Sequence, residues 1–140
     1  MPDLQRTDPL PAFRFRVEME GTPIPEITEV TGLVFESGLP ISVGPGVTPP
    51  IVTLKRGVTD HTGFWDWVRD TRKNPSLRRD LQVILMDAEG NDVVGWNLQN
   101  AYPVRWHGPD LAADMSLVAL ETLEVGYDNL VWIKMNGTPQ

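Results

Sequence analysis

Apolar and polar positions alternate strictly from Ala12 to Glu20. Phe13, Phe15, Val17 and Met19 fall on one face, and Arg14, Arg16, Glu18 and Glu20 on the other. A period of two predicts a strand with one dry face and one wet face. Glu20-Gly21-Thr22 reads as a turn into a second strand, roughly Ile24 to Phe35. Its alternation is less clean, with Ile27, Glu29, Thr31 and Leu33 on one face and Thr28, Val30 and Val34 on the other. Gly32 within it predicts a bulge or the close approach of another backbone. Between Ser37 and Pro50 stand Gly38, Pro40, Gly44, Pro45, Gly46, Pro49 and Pro50, a density of breakers that leaves room only for a loop. Loops of that length in compact domains are functional or disordered.

Ile51 to Lys55 reads as a short strand feeding the one segment with a clear helical period. Phe64, Trp67, Val68 and Thr71 recur at i, i+3, i+4 and i+7, with Trp65 beside them. Asp60 is the expected N-cap, Arg72 and Lys73 suit the negative end of the helix dipole, and Pro75 stops the helix. Leu81 to Met86 is apolar on both faces and so reads as central. Asp87 to Asn91 is a hairpin turn with Gly90 at positive φ, and Val93 to Leu98 pairs back. Asn100 to Trp106, which holds Pro103, suits a sheet edge, and Gly108 to Asp114 a loop. Ser116 to Tyr127 is the longest expected strand, and Glu121 interrupts its apolar row of Leu117, Ala119, Leu123, Val125 and Tyr127. Leu130 to Ile133 is either a last short strand or a docking tail.

The sum is a mainly β protein: an antiparallel β-sandwich or barrel-like subunit of about seven strands with one flanking α-helix, about 61–73. At 140 residues a single domain spanning 1–140 is expected, with an extended arm at 1–11, a Pro/Gly-rich loop at 36–50 and a C-terminal tail at 130–140. Phe64, Trp65, Trp67 and Val68 are the candidates for the seam between helix and sheet, where large amphipathic rings pack well.

Charge narrows the partners. Twelve Lys and Arg against 19 Asp and Glu give a net charge of −7, which argues against a nucleic-acid backbone or an anionic membrane as ligand. There is no cysteine, hence no disulfide framework and no thiolate chemistry. The first nine residues hold no apolar run, so neither a signal peptide nor a membrane-inserted helix is expected, and the expected setting is cytoplasmic.

Chemistry is sparse. His61 and His107 are the only histidines, too few for zinc, which takes three or four protein ligands. His61 between Asp60 and Thr62 could be drawn as a base with its orienter, but a solvated histidine at a helix start is the simpler reading. Gly44-Pro45-Gly46 opens no helix and is not a phosphate loop. Asn136-Gly137-Thr138 matches a glycosylation triplet without a secretory context. Neither an enzyme nor a cofactor is expected.

Thr53-Leu-Lys-Arg-Gly-Val-Thr-Asp60 followed by Phe64-Trp-Asp-Trp67 resembles the tail tube proteins of contractile phages and phage-like injection systems. So do Gly95-Trp-Asn-Leu-Gln-Asn-Ala-Tyr-Pro-Val-Arg-Trp106 with Gly108-Pro-Asp-Leu111, Glu29-Val-Thr-Gly-Leu33 and Ala119-Leu-Glu-Thr-Leu-Glu-Val125, in that family's order. The resemblance covers roughly Phe13 to Tyr127. It implies an inner-tube subunit that forms hexameric rings, stacked into a hollow conduit within a sheath, with sheath subunits, baseplate or hub proteins and cargo in the lumen as partners. It also places the chain in a cytoplasmic assembly or a released phage-like particle. In this family the loop after the Gly-Leu motif reaches the adjacent ring. Glu36, Ser37, Leu39, Ile41, Val43 and Val47 are therefore the candidate ring-stacking or baseplate contacts. The loop here is comparatively short, which leaves a tube initiator or baseplate adaptor as the close alternative. A monomeric β-sandwich that uses its five tryptophans as a ligand platform is the more distant one, and a small hydrolase built on His61 or His107 more distant still.

Overall fold

The computed structural model describes residues 8–12, 14–35, 50–113 and 118–135. Its elements are β1 (Phe15–Met19), β2 (Thr22–Ile24), β3 (Ile27–Thr31), β4 (Ile51–Gly57), α1 (Gly63–Lys73), β5 (Arg79–Met86), β6 (Asp92–His107), β7 (Leu120–Gly126) and β8 (Asn129–Lys134). The fold is mainly β, one eight-stranded sheet in the order β2-β1-β5-β6-β7-β4-β3 with β8 added on β6, plus one flanking helix.

β6 is the spine. Its first part pairs with β5 on one side and β8 on the other, and its last part pairs with β7. β7 and β8 follow each other along β6 in a single register, Gly126 opposite Tyr102 and Asn129 opposite Gln99, with the Asp128 N–H donating to the Gln99 carbonyl across the break. Opposite that break Asn100 takes φ +55, a left-handed conformation that Asn tolerates better than most residues. The core draws on both ends of this ribbon. Val17, Leu81, Val83 and Leu98 meet Val52, Leu54, Leu123 and Val125, with Phe64 and Trp67 from α1.

The structure corrects the sequence reading at four places. Asn100 to Trp106 is the continuation of β6 and not a separate stretch; among the described strands its part from Tyr102 pairs with β7 alone, the edge position expected, and the register shifts between Pro103 and Arg105 beside the proline that lacks an N–H. The longest strand is therefore β6, while β7 begins only at Leu120. The expected strand from Ile24 to Phe35 is two strands, broken at Pro25 and Glu26, where Glu26 has φ +65. A bulge between Ile27 and Glu29 then lets both Ile27 and Val30 pack on the core, which accounts for the uneven alternation. The N-cap of α1 is Thr62, not Asp60, and its hydroxyl donates to the Asp66 carboxylate at 3.0 Å instead of accepting a backbone N–H. Of the two readings of Leu130 to Ile133 the strand is the one that holds, as part of β8.

At two glycines the local readings hold. Glu20 and Gly21, at φ +51 and +82, form the tight turn between β1 and β2. Gly32 has φ +93, and a Cβ there would lie 2.5 Å from the Ile51 carbonyl oxygen.

Candidate functional site

In β4 the burial alternates, so that Val52, Leu54 and Arg56 point inward. Arg56 is wholly buried, and Glu121 stands directly across from it on β7. Its guanidinium donates to the Glu121 carboxylate at 2.8 Å, to the Pro25 and His61 carbonyls at 3.1 Å each, and to the Thr59 hydroxyl at 3.1 Å. The other Glu121 oxygen accepts the Trp106 indole N–H at 3.0 Å, and Phe64 lies beneath the guanidinium, 5.8 Å from its ring centre. One cation thus ties β4, β7, β6, the approach to β3 and the start of α1. A buried charge is tolerated only when its donors are used up in this way. The interruption of an apolar row by Glu121 is the trace that this pair leaves in the sequence.

α1 lays Phe64 and Trp67 into the core, both buried, with Val68 packed against it. Trp65 points the other way and is 50% exposed, its ring edge-on to Trp106 with centroids 5.2 Å apart. Beyond it the outer face of the helix carries exposed Arg69, Arg72 and Lys73.

The chain leaves β3 through a narrow neck. Tyr127 donates its hydroxyl to the Val34 carbonyl at 2.7 Å and accepts the Val34 N–H at 3.1 Å, while Gly32 abuts Ile51. Phe35, at the mouth, is 67% exposed. Glu36, Ser37, Leu39, Ile41, Val43 and Val47 lie outside the described residues.

On the outer sheet face Arg16 makes a two-pronged pair with Asp92, at 2.6 and 2.8 Å, and a third bond to Glu18 at 2.7 Å. The hydrogen bonds from Arg16 hold the Asp92 carboxyl below the usual aspartate range against the opposing effect of burial, and Asp92 in turn pushes Arg16 further up. His107 shares a 2.9 Å contact with Glu124, and His61 accepts the Gly63 N–H through Nδ1 at 3.3 Å. Among the described residues no cluster of His, Asp and Glu is suited to hold a metal ion, and no helix is long and apolar enough to cross a membrane.

The open features are therefore edges and faces. β8 pairs only with β6, leaving its outer rim unpaired among the described strands, and it carries Trp132, 64% exposed and edge-on to Trp96 at 5.1 Å. β3 likewise pairs on one side only.

The family model of the T4-like virus tail tube protein gp19 matches residues 11–131. No curated protein sequence matches the chain. Among solved structures, a chain of the sheath-tube complex of an extracellular contractile injection system in its extended state superposes with a TM-score of 0.78 at 23% identity, covering 92% of this chain and 94% of that one. A chain of the anti-feeding prophage tube-terminating cap gives 0.78 at 22% identity, covering 96% and 97%. Hcp1 from Flavobacterium johnsoniae gives 0.55 at 16%, covering 86% and 94%. At these identities the likeness is one of fold.

Proposed function

The chain belongs to the T4-like virus tail tube protein gp19 family, and we propose that it is the inner-tube subunit of a contractile injection system, assembling into hexameric rings that stack into a hollow conduit inside a sheath. Its role is structural and not catalytic. The observation that carries the reading is the open rim of β8 with the exposed Trp132 upon it. An unpaired strand edge bearing a large apolar ring invites pairing with another chain, and closing a ring of copies removes that edge. β2 and β3, the two ends of the strand order, are open on one side as well and are further rims available to such a ring.

Sheath subunits surround this tube, baseplate or hub proteins seat its end, and the lumen can hold cargo. The likeness to a sheath-tube complex and to an anti-feeding prophage baseplate supports these partners. Assembly takes place in a bacterium or as part of a phage-like particle. Residues 1–140 act as one tail-tube-like domain, and Glu36, Ser37, Leu39, Ile41, Val43 and Val47, beyond the neck held by Tyr127, make the contacts to the next ring or to the baseplate. The short span of that loop favours, as second reading, a subunit that initiates the tube at the baseplate.

Negative-stain electron microscopy of the purified chain over a concentration series tests this. Six-fold rings seen end-on, lengthening into tubes, are expected. Isolated rings that never lengthen would favour the initiator. A chain that stays monomeric at high concentration, alone and with baseplate proteins, would sink the reading.

A further inference from the structure

Gly95 sits mid-strand in β6, in a cross-strand row with Arg16 of β1, Ile84 of β5 and Ile133 of β8 on the outer face of the sheet. It is buried there, and so is Ile84 beside it. A strand glycine marks the close approach of another group, and here that group is the thioether of Met135 from the end of β8. A Cβ on Gly95 would stand 2.7 Å from the Met135 methyl carbon, 3.9 Å from its sulfur and 3.8 Å from the Val83 carbonyl oxygen. The described methionines, Met19, Met86 and Met135, are all half-buried, so exposure does not rank them. Their sulfurs differ in surroundings. Met19 packs against the core, and the Met86 sulfur accepts an Arg16 guanidinium N–H at 3.4 Å, which ties up a lone pair. The Met135 sulfur lies on the outer face with no hydrogen-bond partner among the described residues, so its lone pairs are free to react.

We propose that Met135 is an oxidation site, and that its sulfoxide loosens the end of β8. The sulfur attacks one oxygen of a hydroperoxide, and the S–O bond forms as the O–O bond breaks. Sulfur is oxidised by two electrons, and the other peroxide oxygen leaves as water or alcohol with the proton of the transferred oxygen. The new oxygen is an acceptor. The polar atom nearest the Gly95 socket is the Val83 carbonyl oxygen, also an acceptor, so the sulfoxide finds no donor there and turns out to water. The cover over Gly95 goes with it. The Met135 N–H donates to the Val93 carbonyl at 2.9 Å and closes β8 beyond Lys134. β8 pairs only with β6 among the described strands, so no second strand holds that end. Methionine sulfoxide reduction restores the thioether. The consequence for assembly rests on the tube reading given above, in which β8 is a rim offered to the next copy: an oxidised subunit pairs poorly until it is reduced.

The test treats the full chain with hydrogen peroxide before assembly and maps the oxidised methionines by mass spectrometry. Amide hydrogen exchange and the yield of sedimented tube are measured on the same samples. Met135 is expected to oxidise about tenfold faster than Met86. The Lys134 and Met135 amides should then exchange about tenfold faster, and tube yield should fall by a similar factor and recover after treatment with methionine sulfoxide reductases. Met135→Leu keeps an apolar cover over Gly95 and should hold its yield through peroxide. Met135→Gln should assemble as poorly as the oxidised chain. Oxidation of Met19 or Met86 ahead of Met135, exchange at the end of β8 unchanged by the sulfoxide, or a Met135→Leu yield that falls as wild type's does would each overturn the proposal. An untreated chain that never forms tubes would overturn the tube reading, while the mapping and the exchange would still decide the site.

Discussion

Arg56 and Glu121 face each other across β4 and β7 at 2.8 Å, both withdrawn from water, and they are the one ion pair among the described residues whose partners are both buried. Removing one partner strands the other charge in the core. Glu121→Gln or Arg56→Met should therefore each cost about 3–5 kcal/mol, read as a lower denaturant midpoint. The double variant should cost less than the two single losses together, because no charge is then left alone. Additive losses would mean that the pair contributes only through its separate bonds to Pro25, His61 and Trp106.

Gly32→Ala should destabilise the fold by at least about 2 kcal/mol. The left-handed backbone alone accounts for about 1–2 kcal/mol, and the new methyl would then press on the Ile51 carbonyl, which as backbone cannot swing aside. Gly90→Ala meets the same φ penalty in open space and should cost less. Equal losses in urea melts of the two variants would remove the close approach as a cause.

Tyr127→Phe deletes both bonds to Val34 at little cost in apolar packing. A global loss of about 1 kcal/mol is expected. The more specific sign is faster amide hydrogen exchange at Val34 and Phe35 than at the strand centres. Unchanged protection there would show that the neck is closed by Gly32 and Ile51 alone.

The Arg16–Asp92 pair has a definite pH signature. Because the folded state holds the Asp92 carboxyl below its ordinary value of about 3.9, the pair stabilises the fold fully at pH values above that, and the benefit disappears as the pH falls through the depressed value. Arg16 stays charged throughout, so no alkaline counterpart arises. Both side chains keep some contact with solvent, so the contribution is about 1 kcal/mol or less. Asp92→Asn should lower stability by that amount at neutral pH and flatten the acid limb of the stability curve. An acid limb as steep as wild type's would place the titration elsewhere.

What was legible in the sequence was local. The two-residue period of β1, the apolar face of α1, the tight turns at Gly21 and Gly90 and the crowding at Gly32 each follow from neighbours in the chain. The apolar face of Phe64, Trp67 and Val68 follows from helical spacing, but spacing could not say that Trp65 braces itself on Trp106. The Arg56–Glu121 contact joins residues 65 positions apart, and only the register of β4 on β7 brings them together. Pro103 signals an edge rightly, since among the described strands β6 beyond Ala101 pairs with β7 alone, but nothing local shows that this edge continues the strand that begins at Asp92. The loop residues proposed for stacking have no local period, so sequence could nominate them only through the family they resemble.

The ribbon that β6 forms with β7 and β8 has a mechanical consequence. One strand threads both ends of the sheet, and β7 and β8 keep a single register on it past Asn100, where β5 shifts its own. A push on one end reaches the other along the backbone of β6 itself, and parting the two ends means breaking the rungs that β7 and β8 make on that one strand. In the tube proposed above, such stiffness is built into each copy before any neighbour adds its own.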